Sequence, residues 1–419
     1  MSAAQPSTGT VAATEQGFAW RRADPSGVPA RGGAAARELD RIIADTRAVA
    51  LVMRETLMPV AGDGSVIFPP LFANGDYCES RLPDGRSMFV IDTIAAQCNR
   101  IEAQLDGEEP FRDLIPKVRI SAVVAVADGT GSKSFRNRSI SVNRLPHRLA
   151  DALVRYSELS DEARRAFFAF SADYALPIAQ LAPLTLVFGA WDAHGTKVRI
   201  PRVLRARIDA VDAARINRAG YFRPSIDCSE AGMSDCRADR LHDLGFAPAA
   251  HSGPGAGRGG IVCRGPIVRE LVLNLTAVRG NARGVGGGDA LRRYVFGLAL
   301  CGFLAPLDTF LRQDCQLVLD KAVPVERLIR TRDGGAEDFP FTLADAVDYT
   351  ARARDALGID VQTVREARFE STRARHAVES STDARVVAPR PVKPLGAAAM
   401  FSLAGDADSG TAGGSSTPV

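Results

Sequence analysis

Between Asp192 and Asp209 the chain carries Lys197, Arg199, Arg202, Arg205 and Arg207, and no carboxylate. Cations without a local counter-charge attract phosphate oxygens, arginine through a planar fork and lysine as a point charge. The surrounding pattern is that of a β-hairpin. Apolar residues 184–191, with Gly189 as a bulge, lead into Asp192-Ala193-His194-Gly195, and a second extended run follows. Period two places Lys197, Arg199, Arg205 and Arg207 on one face of that run and Val198, Ile200, Leu204, Ala206 and Ile208 on the other. Pro201 marks an edge or a bulge. Such a face is a track for a phosphate backbone, and it is equally a charged edge that discourages aggregation.

A second cationic stretch, residues 129–148, holds Lys133, Arg136, Arg138, Arg144, His147 and Arg148, with no acid between Asp128 and Asp151. Its Gly-Thr-Gly-Ser-Lys-Ser run lacks the glycine that a phosphate loop needs before Lys133, so a nucleotide site of that kind is rejected. A flexible basic loop against a polyanion remains. A third candidate is the strand 88–91 followed by a helix over 93–105, with Asp92 as its N-cap. Ile94, Cys98, Ile101 and Leu105 share its apolar face, and Gln97, Arg100 and Gln104 share another, with Asn99 nearby. Those donors can hold a sugar–phosphate backbone or stay solvated. Phe68, stiffened by Pro69 and Pro70, is either a plug over the core edge or an aromatic offered to a nucleobase. Trp191 is either a stacking residue or a core aromatic ending a strand.

Catalytic frames are missing. No GxSxG elbow, HExxH, calcium loop or GKS/GKT loop occurs. Asp192, Asp209 and Asp212 could bind a metal for phosphodiester cleavage, but only proximity in sequence groups them. Gly255, Gly257 and Gly260 fit GxGxxG without the apolar strand a dinucleotide site requires. Cys228, Cys236, His242, His251 and Cys263 lie in one irregular region without zinc-ligand spacing. No cofactor and no metal are expected.

Behind these residues stands an ordinary globular composition, with 46% hydrophobic and 24% charged residues and a net charge of +3 over 419 residues. Any polyanion site is therefore local. Seven cysteines without short pairing indicate a reducing compartment. The absence of a secretory signal and of a spanning apolar run points to a cytoplasmic protein without a membrane. The chain divides into a disordered tail (1–36), a first folded part (37–212) containing the basic loop 129–148, an irregular insertion (213–260), a second folded part (261–379) and a disordered tail (380–419). Strands are expected at 48–53, 117–127, 316–319 and 323–329. Helices are expected at 149–159, at 161–174 with Phe167, Phe168 and Phe170 in the core, at 266–279 paired with 290–304, and from the Thr342 cap to Leu357. The class is α+β.

Phe68-Pro69-Pro70, the strand–helix Val90-Ile91-Asp92 to Gln97-Cys98-Asn99-Arg100-Ile101-Glu102, the hairpin Leu186-Val187-Phe188-Gly189-Ala190-Trp191-Asp192 with Pro201-Arg202, and Val272-Leu273-Asn274-Leu275 together resemble one family. It is the RAMP-superfamily CRISPR-associated backbone subunit of type I-U (I-G) systems, the Csb-one or Cas-seven-type protein. The resemblance spans roughly residues 47–320. Ala96 departs from the serine expected there.

The resemblance implies a ferredoxin-like, RRM-type palm with large insertions, one of them thumb-like, and helical additions. It implies a non-catalytic protein whose copies line up along a guide RNA (crRNA) in a Cascade-type ribonucleoprotein for antiviral defence. Its partners would be crRNA, target DNA through the guide, other copies of itself and other Cascade subunits. RNA contacts carried over are Gln97, Asn99, Arg100, Lys197, Arg199, Arg202, Arg205 and Arg207, with Lys133, Arg136 and Arg138 on the thumb or a loop and Phe68 and Trp191 for stacking. The alternative is a metal-dependent CRISPR-associated ribonuclease.

Overall fold

The computed structural model describes residues 33–107, 109–127, 133–217, 220–236, 240–241, 244–247, 249–251, 258–283 and 288–380. Helix α1 (Gly33–Ala44) leads into β1 (Ala48–Pro59), and the hairpin β2 (Glu79–Arg81) and β3 (Ser87–Asp92) precedes α2 (Ile94–Leu105). Strands β4 (Lys117–Ala127) and β5 (Lys133–Ser141) form a long hairpin. Four short helices follow: α3 (Ala152–Arg155), α4 (Ser160–Ser171), α5 (Leu176–Leu181) and α6 (Leu184–Phe188). Next come β6 (Ala190–Trp191), β7 (Arg199–Ile200), β8 (Leu204–Val211) and β9 (Ala213–Arg215), then β10 (Gly220–Phe222), β11 (Ala249–His251), β12 (Ile261–Cys263) and β13 (Ile267–Asn274). After α7 (Leu275–Asn281) and α8 (Gly288–Phe303) the chain adds β14 (Phe310–Arg312), β15 (Cys315–Leu319), β16 (Glu326–Thr331) and β17 (Ala336–Asp338). It ends with α9 (Leu343–Leu357), β18 (Val364–Arg368) and α10 (Ser371–Glu379).

The main sheet runs β14-β15-β1-β13-β8-β3-β2, with β16 also on β1, and its pairings are antiparallel. Four adjacent strands, β16-β1-β13-β8, therefore hold two parallel pairs, β1 with β8 and β13 with β16. Each pair is joined through a helix, α2 within the first connection and α8 within the second. Both helices pack on one face, where Cys98, Ile101, Leu204, Leu271 and Leu300 share one core cluster. Gly302 lets α8 approach closely, since a Cβ there would lie 2.8 Å from Leu204 and 3.1 Å from Ile101.

A buried charged row divides this core from a second one around Phe89, Ile208 and Ile267. Glu55 and Arg269 are cross-strand neighbours, 2.9 Å apart. Arg269 Nε also donates to Gln97 Oε1 at 3.1 Å, and Gln97 Nε2 donates to Asp92 at 2.7 Å. Arg100 and Arg312 complete the row, each within about 3 Å of Asp92. Removing one partner of such a buried set costs about 3–5 kcal/mol, because the other charge is left uncompensated.

The structure corrects several sequence expectations. Residues 184–188 are a buried helix rather than a strand, since a short apolar run carries no periodicity that separates the two. Residues 267–274 are a strand, burying Ile267, Arg269, Leu271 and Leu273 in alternation, and only 275–281 are helical. The expected αα-hairpin is therefore a strand followed by helices. The basic loop 129–148 is in large part the strand β5, and residues 128–132 lie outside the described residues. The helix expected at 149–159 shrinks to 152–155, and Phe168 is exposed. The true N-cap of α2 is Thr93, whose side chain accepts from Ala96 N at 3.1 Å. Gly33–Ala36, assigned to the tail, begin α1. The tails 1–32 and 381–419 lie outside the described residues. Within the expected insertion β10 pairs β11, and β9 at its start pairs β12, which lies just beyond it.

Candidate nucleic-acid interface

A cleft of about 940 Å³ opens between α2, the segment 144–148, and the limb formed by 188–191 and 199–202. Its α2 wall offers Asn99, Glu102 and two alanines, Ala95 and Ala103. The limb is the surviving part of the expected hairpin. Ala190 pairs Ile200 and Trp191 pairs Arg199, and the Arg199 guanidinium lies 4.4 Å from the centre of the Trp191 ring. Trp191 is 54% exposed. Asp192 builds the turn, accepting from Gly195 N at 3.1 Å, from Thr196 N at 2.6 Å and from Thr196 Oγ1 at 2.9 Å.

Gly189 sets the closeness of the limb's two strands. Its φ is +78°, and a Cβ there would sit 2.7 Å from Ile200 O and 2.9 Å from Arg202 N. Beneath it lies Arg148, whose Nη1 donates to Gly189 O at 2.8 Å while Nε donates to Glu102 Oε1 at 2.9 Å. Glu102 is the one carboxylate lining the cleft, and it is paired with Arg148. Burial pushes its carboxyl above the usual range, against the pull of Arg148. Around the rim, Arg144, Arg199 and Arg202 are exposed, and among the described residues none has an ion-pair partner. Arg202 Nε donates only to Phe188 O, at 3.3 Å. Positive side chains above a neutralised floor favour an anion, and the open aromatic favours a base.

The candidates divide. Asn99, Trp191, Arg199 and Arg202 meet at the cleft. Lys197 does not, because it has φ +65° in the turn and its Nζ donates to Ala193 O at 2.5 Å. Arg205 and Arg207 lie on β8, on the sheet face away from α2. There Arg207 pairs Asp209 at 2.6 Å and Arg205 approaches Glu270 at 3.8 Å. The single cationic face expected for Lys197, Arg199, Arg205 and Arg207 is thus broken at 201–203, where the strand stops. Gln97 and Arg100 face inwards to Asp92, and Arg100 also binds Asp308 at 2.6 Å. Phe68 is half-buried beside Gly260, outside the cleft lining. Lys133, Arg136 and Arg138 belong to β5, opposite Ala127, Val124 and Ala122, and Arg136 and Arg138 are exposed.

Arg144, Arg148 and Glu102 were missed as site residues. The acid-free stretch that contains the two arginines was a usable signal. Glu102, the partner of Arg148, was not, being 46 residues away in sequence.

The carboxylates considered for metal-dependent cleavage have other roles. Asp192 builds its turn, Asp209 faces Arg207, and Asp212 pairs Arg264 at 2.9 Å. Among the described residues no three His, Cys, Asp or Glu side chains are grouped to hold a metal. Cys228, Cys236 and Cys263 are free thiols, and His242 lies outside the described residues. Among the described residues no helix is long and apolar enough to cross a membrane.

Residues 51–215 match the family described as CRISPR-associated protein GSU0053. The matched segment runs from β1 to β9 and includes every residue lining the cleft. By this match the segment 51–215 is similar to that CRISPR-associated family. The chain is also similar to a solved structure described as "CRISPR RNA-guided surveillance complex, pre-nicking". The identity is 12% and the TM-score 0.32, over 79% of this chain and 98% of that one, which is too distant to carry an argument. No curated protein matches the chain.

Proposed function

We propose that this protein is a crRNA-binding backbone subunit of a Cascade-type surveillance complex. In this reading its copies oligomerise along the guide, which pairs with target DNA, and the subunit itself catalyses nothing. The observation that carries the reading is the cleft, inside the family segment, with unpaired Arg144, Arg199 and Arg202 on its rim and its one lining carboxylate already matched. Such a surface holds a phosphate backbone without reading sequence.

The strand order β16-β1-β13-β8, with a helix in each parallel connection, supports the ferredoxin-like palm. The hairpin β4–β5 supports the thumb. Arg136 and Arg138 occupy one of its faces, and exposed Val123 and Phe135 the other.

Fluorescence anisotropy with a labelled single-stranded RNA across a salt series tests the reading. Log K should fall with log salt by about 0.7 per neutralised phosphate. Salt-independent binding, or none, contradicts it. Incubation of labelled RNA with Mg²⁺ tests the non-catalytic part, since defined cleavage fragments would overturn it.

A further inference from the structure

The cleft contains one arginine that is built unlike the others. Arg148 is 6% exposed and holds φ +50°, the left-handed region that a side-chain-bearing residue enters only when its surroundings require it. Its guanidinium joins two other segments to its own. Nε and Nη2 donate to Glu102 of α2, Nη1 donates to Gly189 O at 2.8 Å, and the group lies 5.6 Å from the Phe188 ring centre. Gly189 is where the limb turns, directly before Ala190 and Trp191. The rim arginines, by contrast, have no ion-pair partner among the described residues.

We propose that Arg148 is the positioning residue of the cleft, fixing the limb that bears Trp191 and Arg199 against α2 so that single-stranded nucleic acid enters a preformed groove. The proposal rests on reading the cleft as a nucleic-acid groove. Preorganisation strengthens binding by removing the entropy of ordering side chains at the moment of contact. The fork of an arginine spans two acceptors on different segments, and a lysine ammonium at the same place does not reproduce that geometry.

The test uses the full chain in a Trp20→Phe background, so that Trp191 is the remaining tryptophan of the two. Acrylamide quenching of the free protein reads the position of the limb. Anisotropy with a labelled oligouridylate reads binding. Arg148→Lys and Arg148→Met are expected to raise Trp191 quenching. Both should also weaken binding about tenfold, the cost of re-ordering two side chains. The salt slope should stay at the wild-type value, whereas Arg199→Ala should lower it by about 0.7. Glu102→Gln keeps the shape of the acceptor and should raise quenching in the same direction, so the proposal remains open to refutation even if Arg148→Met fails to fold.

A slope lowered by about 0.7 in Arg148→Met would make Arg148 a phosphate contact and overturn the proposal. Unchanged quenching in all of the folded variants would overturn it too. If the wild type fails to bind oligouridylate, the nucleic-acid reading falls, and the quenching results still decide whether Arg148 places the limb.

Discussion

Two clusters of arginine lie within a few residues of each other in sequence and have opposite fates. On β8, Arg205 and Arg207 stand on the open face of the sheet beside acids. Arg54 and Glu270 are register partners 3.1 Å apart, Arg54 also reaches Glu326 at 3.3 Å, and Arg207 meets Asp209 at 2.6 Å. In the cleft, Arg199 and Arg202 stand on a limb that leaves the sheet, and among the described residues neither has an ion-pair partner, the nearby Glu102 being held by Arg148. Of the acids that neutralise the first cluster, Glu270 arrives from β13, distant in sequence and adjacent in register, and Asp209 from β8 itself. A run of cations is therefore a site only where the fold withholds its counter-charges.

The double variant Arg199→Ala/Arg202→Ala should break this comparison most severely. Losing two phosphate contacts lowers the salt slope by about 1.4 and the affinity about tenfold to a hundredfold. Trp191→Ala follows. Stacking on an aromatic is worth about 1–3 kcal/mol per base, and the lower end applies because Arg199 already rests on the ring. Anisotropy with oligouridylate measures both. Gly189→Ala should act on the scaffold itself. Its positive φ and the 2.7 Å approach to Ile200 O imply a loss of about 1–3 kcal/mol in chemical denaturation, with weaker RNA binding. Arg205→Ala/Arg207→Ala should do least to RNA binding, because both arginines face acids on the sheet and the RNA salt slope should not move. A slope lowered as far as in the cleft variant would erase the distinction between the two regions.

Much of the scaffold was legible in the chain. The alternation in β1, the Thr342 capping box, and Gly358 in the left-handed conformation ending α9 follow from local rules that the fold obeys. Errors arose where local pattern is ambiguous or overridden. The sequence 184–188 is apolar apart from Thr185, and burial on every side allows a helix as readily as a strand. In 267–274 the alternating position is occupied by a buried arginine, Arg269, so the strand's inward face looks polar until Glu55 and Gln97 are placed against it. Gln97 and Arg100 looked like surface donors for the same reason. Half of the cleft was visible as residue types, in Asn99, Trp191, Arg199 and Arg202. The other half, the pairing of Glu102 with Arg148 and the junction at Gly189, depends on contacts between segments tens of residues apart.

Photocrosslinking tests the central claim most directly. Single-stranded RNA carrying 4-thiouridine is bound to the intact protein, irradiated, and the crosslinked peptides are identified by mass spectrometry. The account predicts crosslinks on peptides containing His147, Trp191 and residues 199–202. Crosslinks confined to β8 and the open sheet face around Arg54 and Glu270 would contradict it.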